Sequence, residues 1–332
     1  MSRTIRLIAC VLSLALVMTA LAGCAKDEPA ETTDTESTIS AEPAPIKIGT
    51  LTTEDALPLW VAEAEGLFAE AGLEVEITTF QAAQERDAAF VSGAIDAFMG
   101  DIIAAAALEV GGAPVSLATV MLGATPAEGR FGIVVKPGSD AETLADLAGV
   151  PIATSAASIQ EYVVDGLMAG ADVADDDVKK EIVPKVPVRF ELLMSGQLEA
   201  AALPEPLLSL AELQGARLIA DDTQAENLTQ TVLGVSDKYL ATPGGMVTIS
   251  RLLDAWDAAA DIINADPNVW RTVLVDKARL PEPLKDSYKV NTYPKAAAPT
   301  AEQVEAVLVW MRANELLTTD LGYEDLVQEL PN

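Results

Sequence analysis

Carboxylates dominate the residues that could do chemistry. Glu54, Asp55, Asp101, Glu161 and Glu205 each stand where an apolar stretch ends or a helix pattern begins. Such groups accept hydrogen bonds, receive amine or cationic ligand groups, and serve as general acids or bases. Short polar residues share these places: Thr53, Ser155 and Ser158. The basic candidates are Arg130, Lys136 and Lys238. The chain has no histidine, and its two cysteines are Cys10 and Cys24. That leaves no Ser-His-Asp triad, no Cys-His dyad and no imidazole or thiolate metal set. No GxxxxGK[ST] or GxGxxG pattern supports nucleotide chemistry. The expectation is therefore no catalytic residue, no metal and no cofactor: a protein that binds and turns nothing over.

The thiol of Cys24 has a different prospect. Arg3 and Arg6 precede an uncharged apolar run from Leu7 to Ala22, and small residues stand just before the cysteine. This is the anatomy of a secretory signal. The ending Leu21-Ala22-Gly23-Cys24 resembles the lipobox of bacterial lipoproteins, in which the cysteine is lipidated and becomes the first mature residue. The apolar run is shorter than the ~20 residues of a bilayer span, which argues against a transmembrane anchor. Residues 1–23 are thus expected to be a signal peptide, and Cys10 leaves with it. Residues 24–45 are rich in Thr, Glu, Pro, Ser and Ala with one isolated isoleucine. They are expected to form a disordered, lipid-anchored tether, because so little apolar surface cannot offset ordering entropy. Extended, the tether reaches roughly 70 Å.

The remainder, from about Ile46, is long enough for a two-lobed unit, and half of the chain is apolar at 50%. A net charge of −30 is a poor match to nucleic acid, whose phosphates need clustered lysine and arginine. It fits solubility or a salty setting.

Strand and helix patterns alternate along the chain. Residues 46–122 give β-α-β-α-β-α-β: strands at Ile46–Leu51, Leu73–Thr79, Ile95–Met99 and Pro114–Met121, with helices at Pro58–Ala71, Gln84–Gly93 and Asp101–Val110. Phe131–Val135 is a further strand, and Ser139–Leu147 a short helix. A second α/β run follows, with strands at Val150–Thr154, Glu181–Pro184, Leu198–Leu203, Ala216–Ala220 and Thr229–Val235. Helices at Ser158–Ala169, Pro187–Ser195 and Pro206–Gln214 separate them. From Gly244 onward the pattern is helical: Gly244–Asn264, Pro267–Ala278, Pro283–Tyr288, Thr300–Glu315 and Tyr323–Leu330. This predicts an α/β clamshell: two lobes joined by two strand crossings, near Arg130–Lys136 and Gln230–Lys238, with a helical C-terminus. Lobe 1 takes residues 46–130 and 237–332, and lobe 2 residues 131–236. Ligands of open α/β sheets sit beyond the carboxyl ends of strands, so both lobes turn such loops to one cleft.

The residues also resemble a known family. The stretches IKIGTLTTEDALPLWVAEAEGLFAEAGLEVEI (46–77), SGAIDAFMGDIIAAAALEVGG (92–112), TLADLAGVPIATS (143–155), SGQLEAAALPEPLLSLA (195–211) and PTAEQVEAVLVWMRANELLTTDLGYEDLV (299–327) are similar to extracytoplasmic substrate-binding proteins of ABC importers, in the nitrate, sulfonate, taurine and thiamine-precursor group. The G-L-F-x-x-x-G-L-x-V-E core from Gly66 to Glu76 is the most specific part. Pro204 departs from the pattern, standing where the family often has an aromatic before Glu-Pro. The resemblance implies a periplasmic-binding-protein fold of the second type and delivery of a small solute to a permease and its ATPase. With Cys24 lipidated, the protein would sit on the extracytoplasmic face of the cell membrane, as a monomer.

The expected ligand contacts are Thr53, Asp55, Trp60, Asp101, Ser155, Ser158, Tyr162 and Glu205. Each has a second reading. Asp101 and Ser158 fit helix caps, Trp60 and Tyr162 fit core, Thr53 and Asp55 fit a solvated loop, and Glu205 fits a surface turn. For Glu205 the family position favours the pocket. Clustered carboxylates repel an anion and suit a neutral or amine-bearing heterocycle such as a thiamine pyrimidine precursor. Helix-start N–H groups can hold anions without a basic side chain, so an alkanesulfonate, taurine or nitrate-type ligand is the alternative. An enzyme akin to thiamine-pyrimidine synthases would need the histidine that this chain lacks.

Overall fold

The computed structural model describes residues 42–224 and 228–328. The signal peptide, Cys24 and most of the tether lie outside the described residues. In chain order the strands are β1 (Ile46–Leu51), β2 (Val75–Phe80), β3 (Ala97–Asp101), β4 (Val115–Leu122), β5 (Phe131–Val135), β6 (Pro151–Thr154), β7 (Lys179–Ile182), β8 (Ala200–Pro204), β9 (Arg217–Asp221) and β10 (Thr231–Ser236). They form two five-stranded sheets, ordered β2-β1-β3-β10-β4 and β7-β6-β8-β5-β9. In each sheet four strands run parallel and the fifth, β10 or β5, inserts antiparallel between two of them. Strands inside a sheet covered on both faces should be continuously apolar. Accordingly β8, inside its sheet, is buried along its whole length, whereas β7 at an edge keeps its lysines and glutamate outward.

The chain passes between the sheets at 123–130, immediately before β5, and again between β9 and β10. Strand β10 is hydrogen-bonded to β3 and β4, so residues 231–236 belong to the first sheet rather than to a second lobe ending at 236. The strand pattern alone could not show this, because an inserted antiparallel strand has the same apolar run as its neighbours.

Other boundaries also move. The helix expected over 58–71 is two helices, Leu57–Ala64 and Leu67–Glu70, broken at Gly66, whose φ of 76° is left-handed. The helix expected over 139–147 is one turn, Leu144–Leu147, begun by Thr143 with its N–H and hydroxyl on the Asp146 carboxylate. The helix expected over 283–288 is the turn Glu282–Leu284. The tether ends earlier than Pro45: Ala44 accepts from Tyr239 and Thr248 and donates its N–H to the Thr248 hydroxyl.

The helical C-terminus returns to the first lobe. Helix Gly245–Ala265 buries Thr248, Ile249, Leu252, Ala255, Trp256, Ala259 and Ile263, a stripe at helical spacing, and packs on Leu57–Ala64. Helix Ala301–Ala313 packs on Ile102–Val110 and also reaches the second lobe, where Trp310 donates to Asp165 at 2.9 Å. No helix of the described residues is long and apolar enough to cross a membrane.

Candidate functional site

The chain ends of β1 and β8 meet between the lobes. Beyond β1 a short turn, Glu54–Ala56, carries Glu54 and Asp55, both buried. Beyond β8 stands Glu205, equally buried. The segment after the turn Glu282–Leu284 adds Tyr288, Asn291 and Tyr293. Glu54, Pro206, Leu274, Ala278, Leu280 and Tyr288 line the narrow gap. The lobes are closed on it: Leu210 of the second lobe belongs to the same buried cluster as Trp60, Leu274 and Tyr288 of the first.

Glu54 is the central group. Its Oε1 accepts from Asn291 at 2.7 Å, and its backbone carbonyl accepts from the Tyr293 hydroxyl at 2.8 Å. Its buried Oε2 makes no hydrogen bond of normal geometry. Burial raises its pKa well above the usual carboxylate range, and the charges of Glu205 across the gap and of Asp55 beside it push it further. Tyr288 and Asn291 oppose part of the shift. The Tyr288 hydroxyl is itself held protonated by burial and by the nearby charges of Glu54 and Glu205. Asp55 is also raised by burial, opposed by the nearby Thr53 hydroxyl and by the Thr231 hydroxyl, which donates to it at 3.1 Å.

Glu205 is engaged rather than open. Its Oε1 accepts from Arg130 at 3.0 Å and from the Ser209 hydroxyl at 2.8 Å, and its Oε2 accepts from the Ser209 N–H at 3.1 Å. Arg130 also holds Asp221 at 2.8 Å and Glu212 at 2.8 Å. Burial alone would lower the pKa of this guanidinium, but its bonds to Asp221 and Glu212 raise it overall. All its donor nitrogens are thus committed to the second lobe. Lys136 pairs with Glu199 at 2.6 Å, and Lys238 is exposed.

The other expected contacts divide. Asp101 caps helix Ile102–Val110 by accepting from the Ala104 N–H at 2.7 Å. Ser158 caps helix Ile159–Gly170 and donates its hydroxyl to the Ser155 carbonyl at 2.7 Å. The Ser155 hydroxyl donates to the Pro184 carbonyl at 3.1 Å and accepts from Arg189 at 3.1 Å. Trp60, at 1% exposure, belongs to the core and is not part of the gap lining. Tyr162 packs on Trp310, with ring centroids 5.3 Å apart, which places it on the helical brace rather than at the gap. Sequence reasoning did not select Tyr288 and Asn291. They come from an irregular segment far along the chain, with no local spacing to mark them. Among the described residues no group of His, Cys, Asp and Glu could hold a metal ion.

Comparison with known proteins bears on the fold. The periplasmic aliphatic sulphonate binding protein SsuA from Escherichia coli superposes with a TM-score of 0.74 at 19% identity, covering 87% of this chain and 93% of that one. The alkanesulfonate-binding protein SsuA from Xanthomonas axonopodis pv. citri, bound to MOPS, gives 0.68 at 22% identity, covering 84% and 96%. The desulfurization enzyme DSZB gives 0.62 at 16% identity, covering 85% and 96%. Comparison with curated proteins gives no match. The fold is the type II periplasmic-binding-protein clamshell expected from the sequence. Residues 40–313 match the NMT1-like family, and the chain belongs to it.

Proposed function

We propose that this protein is the solute-binding component of an ABC importer and that it closes on a small organic molecule carrying an amine or a protonated ring nitrogen. One observation carries the ligand class. Glu54 stands within electrostatic reach of Glu205 of the other lobe and of Asp55 beside it, and its buried Oε2 makes no hydrogen bond of normal geometry. A cationic N–H donor entering there satisfies that oxygen and relieves the repulsion. A thiamine pyrimidine precursor has this chemistry. The protein would then hand its solute to a permease and ATPase from the extracytoplasmic face, as a monomer tethered through lipidated Cys24. Replacing Cys24 with serine should abolish lipid attachment, read by mass; a variant still bearing diacylglycerol would refute the anchor.

The sulfonate ligands of the two sulfonate-binding neighbours favour a second reading, an alkanesulfonate ligand. Thermal melting of the full chain against aminopyrimidines and alkanesulfonates separates the two, because a ligand selective for the native state raises the midpoint. Glu54→Gln should weaken an amine ligand about 10- to 100-fold, the scale of one charge-assisted hydrogen bond. Tightening of a sulfonate by the same change would establish the second reading. The enzymatic alternative predicts steady conversion of the bound solute by the pure protein, and none is expected.

A further inference from the structure

The two lobes repeat one device with one part missing. Arg86 stands three residues into helix Ala83–Ser92, which links β2 to β3. Arg189 stands three residues into helix Val186–Met194, which links β7 to β8, the matching strands of the other sheet. Both side chains are buried, at 1% and 0% exposure. Both pin Nη1 on a backbone carbonyl: Arg86 on Met99 at 2.7 Å, Arg189 on Val183 at 2.9 Å. Arg189 adds a bond from Nη1 to the Ser155 hydroxyl at 3.1 Å.

The remaining edge of each guanidinium is the pair Nε and Nη2, whose N–H bonds point the same way. In the first lobe that edge is filled by the next residue, as Arg86 Nε and Nη2 donate to the Asp87 carboxylate at 2.9 and 2.6 Å. In the second lobe the next residue is Phe190. Arg189 Nε and Nη2 are both buried without a hydrogen-bond partner. The Thr154 hydroxyl, at the end of β6 and adjacent in sequence to Ser155, is likewise buried and unpartnered. Arg189 has no ion pair among the described residues. Burial lowers its pKa to about 10, which leaves it cationic at neutral pH.

An uncompensated buried guanidinium is costly, and its Nε–Nη2 edge is the fork that takes a planar oxyanion in two parallel bonds. The location suits a ligand. Ser155 follows β6 and Val183 follows β7, at the same carboxyl edge of the sheet as Glu205 after β8. Phe190 packs against both the buried cluster that contains Tyr288 and the second-lobe core.

We infer that the Nε–Nη2 edge of Arg189, with Ser155 and Thr154, is an oxyanion subsite that receives a carboxylate or carboxylate-like group of the bound solute, in the place Asp87 fills in the first lobe. This deepens the solute-binding reading and rests on it. The solute then carries an oxyanion as well as the group facing Glu54.

The test titrates the full chain with acetate, methanesulfonate and inorganic phosphate at constant ionic strength, with chloride as control, following the melting midpoint and the Arg189 Nε–H resonance. The expected result is a saturable rise of about 2–6 °C with at least one oxyanion, together with a shift of that resonance. The arm with the lowest midpoint concentration names the oxyanion. Arg189→Met fills the site without charge, so it should fold with an unchanged or higher midpoint and lose the response. Phe190→Asp, which supplies the carboxylate from within the chain, should lose it too. Equal responses in the native chain and Arg189→Met, or none in the native chain, would overturn the subsite. Native mass spectrometry separates this failure from that of the parent reading. A solute retained by the native chain and equally by Arg189→Met removes Arg189 from the site and leaves solute binding standing.

Discussion

At the scale of single residues, Glu54 and Arg130 divide the work of the gap. The folded pKa of Glu54 lies above its unfolded value. The closed fold is therefore favoured while Glu54 is protonated, and that advantage is lost as pH rises through the raised pKa. Glu54→Gln should remove this loss, so the variant should melt higher than the native chain at alkaline pH and the two should converge in acid; parallel melting curves across pH would show that Glu54 is not the titrating group. An amine ligand lowers the pKa of Glu54, so binding should release a proton, read as a buffer-dependent heat in calorimetry. Arg130 acts oppositely, as the cation that lets Glu205, Asp221 and Glu212 share one lobe. Arg130→Met should cost roughly 2–3 kcal/mol in denaturant unfolding, because Glu205 is left buried without its charge partner; a change within 0.5 kcal/mol would mean solvent already screens the network. The sequence reading chose Glu205 as the open acceptor. It could not see Arg130 close on it, since Arg130 is distant along the chain, and it noted Glu54 among the strand-end carboxylates but chose its neighbours Thr53 and Asp55 as the contacts.

At the scale of elements, the fold was more legible than the site. Apolar runs bounded by turn residues located all ten strands to within a few residues. What remained hidden was pairing: nothing local to Thr231–Ser236 says that it inserts between β3 and β4. The passage leading into that strand is held by Asp222, whose carboxylate accepts from the Phe131 N–H at 2.8 Å and from the Thr229 hydroxyl. Burial raises its pKa from 3.8 to about 6, with Asp221 adding to the shift and the two hydrogen bonds opposing it. The stability linked to Asp222 is therefore fully present below its unfolded value and lost as pH rises through about 6. Asp222→Asn keeps an acceptor and removes the titration. It should flatten the change in unfolding free energy between pH 5 and 7 by about 1 kcal/mol; an unaltered slope would assign the titration elsewhere. The C-terminal helix is the other join. Trp310→Ala removes the bond to Asp165 and the contact with Tyr162. A loss of about 2–4 kcal/mol is expected. Scattering should show a wider separation of lobes, while an unchanged profile would leave the hinge passages as the sole restraint.

At the scale of the whole molecule, the proposed role is capture without conversion, and two matched five-stranded sheets flanking one closed gap are the arrangement that supports it. In the proposed site each lobe offers half: Glu54 and Asp55 on one, Glu205 and the Arg189 edge on the other. Hinge closure brings the halves together, so affinity and compaction should rise and fall together across variants of either lobe. The most direct measurement is native mass spectrometry of the full chain purified without denaturant, with the retained small molecule then identified. The account predicts one solute per chain, released chemically unchanged on denaturation and carrying an amine or protonated ring nitrogen. A chemically altered solute on incubation, or a ligand with no such nitrogen bound with Glu54 turned away from it, would contradict it.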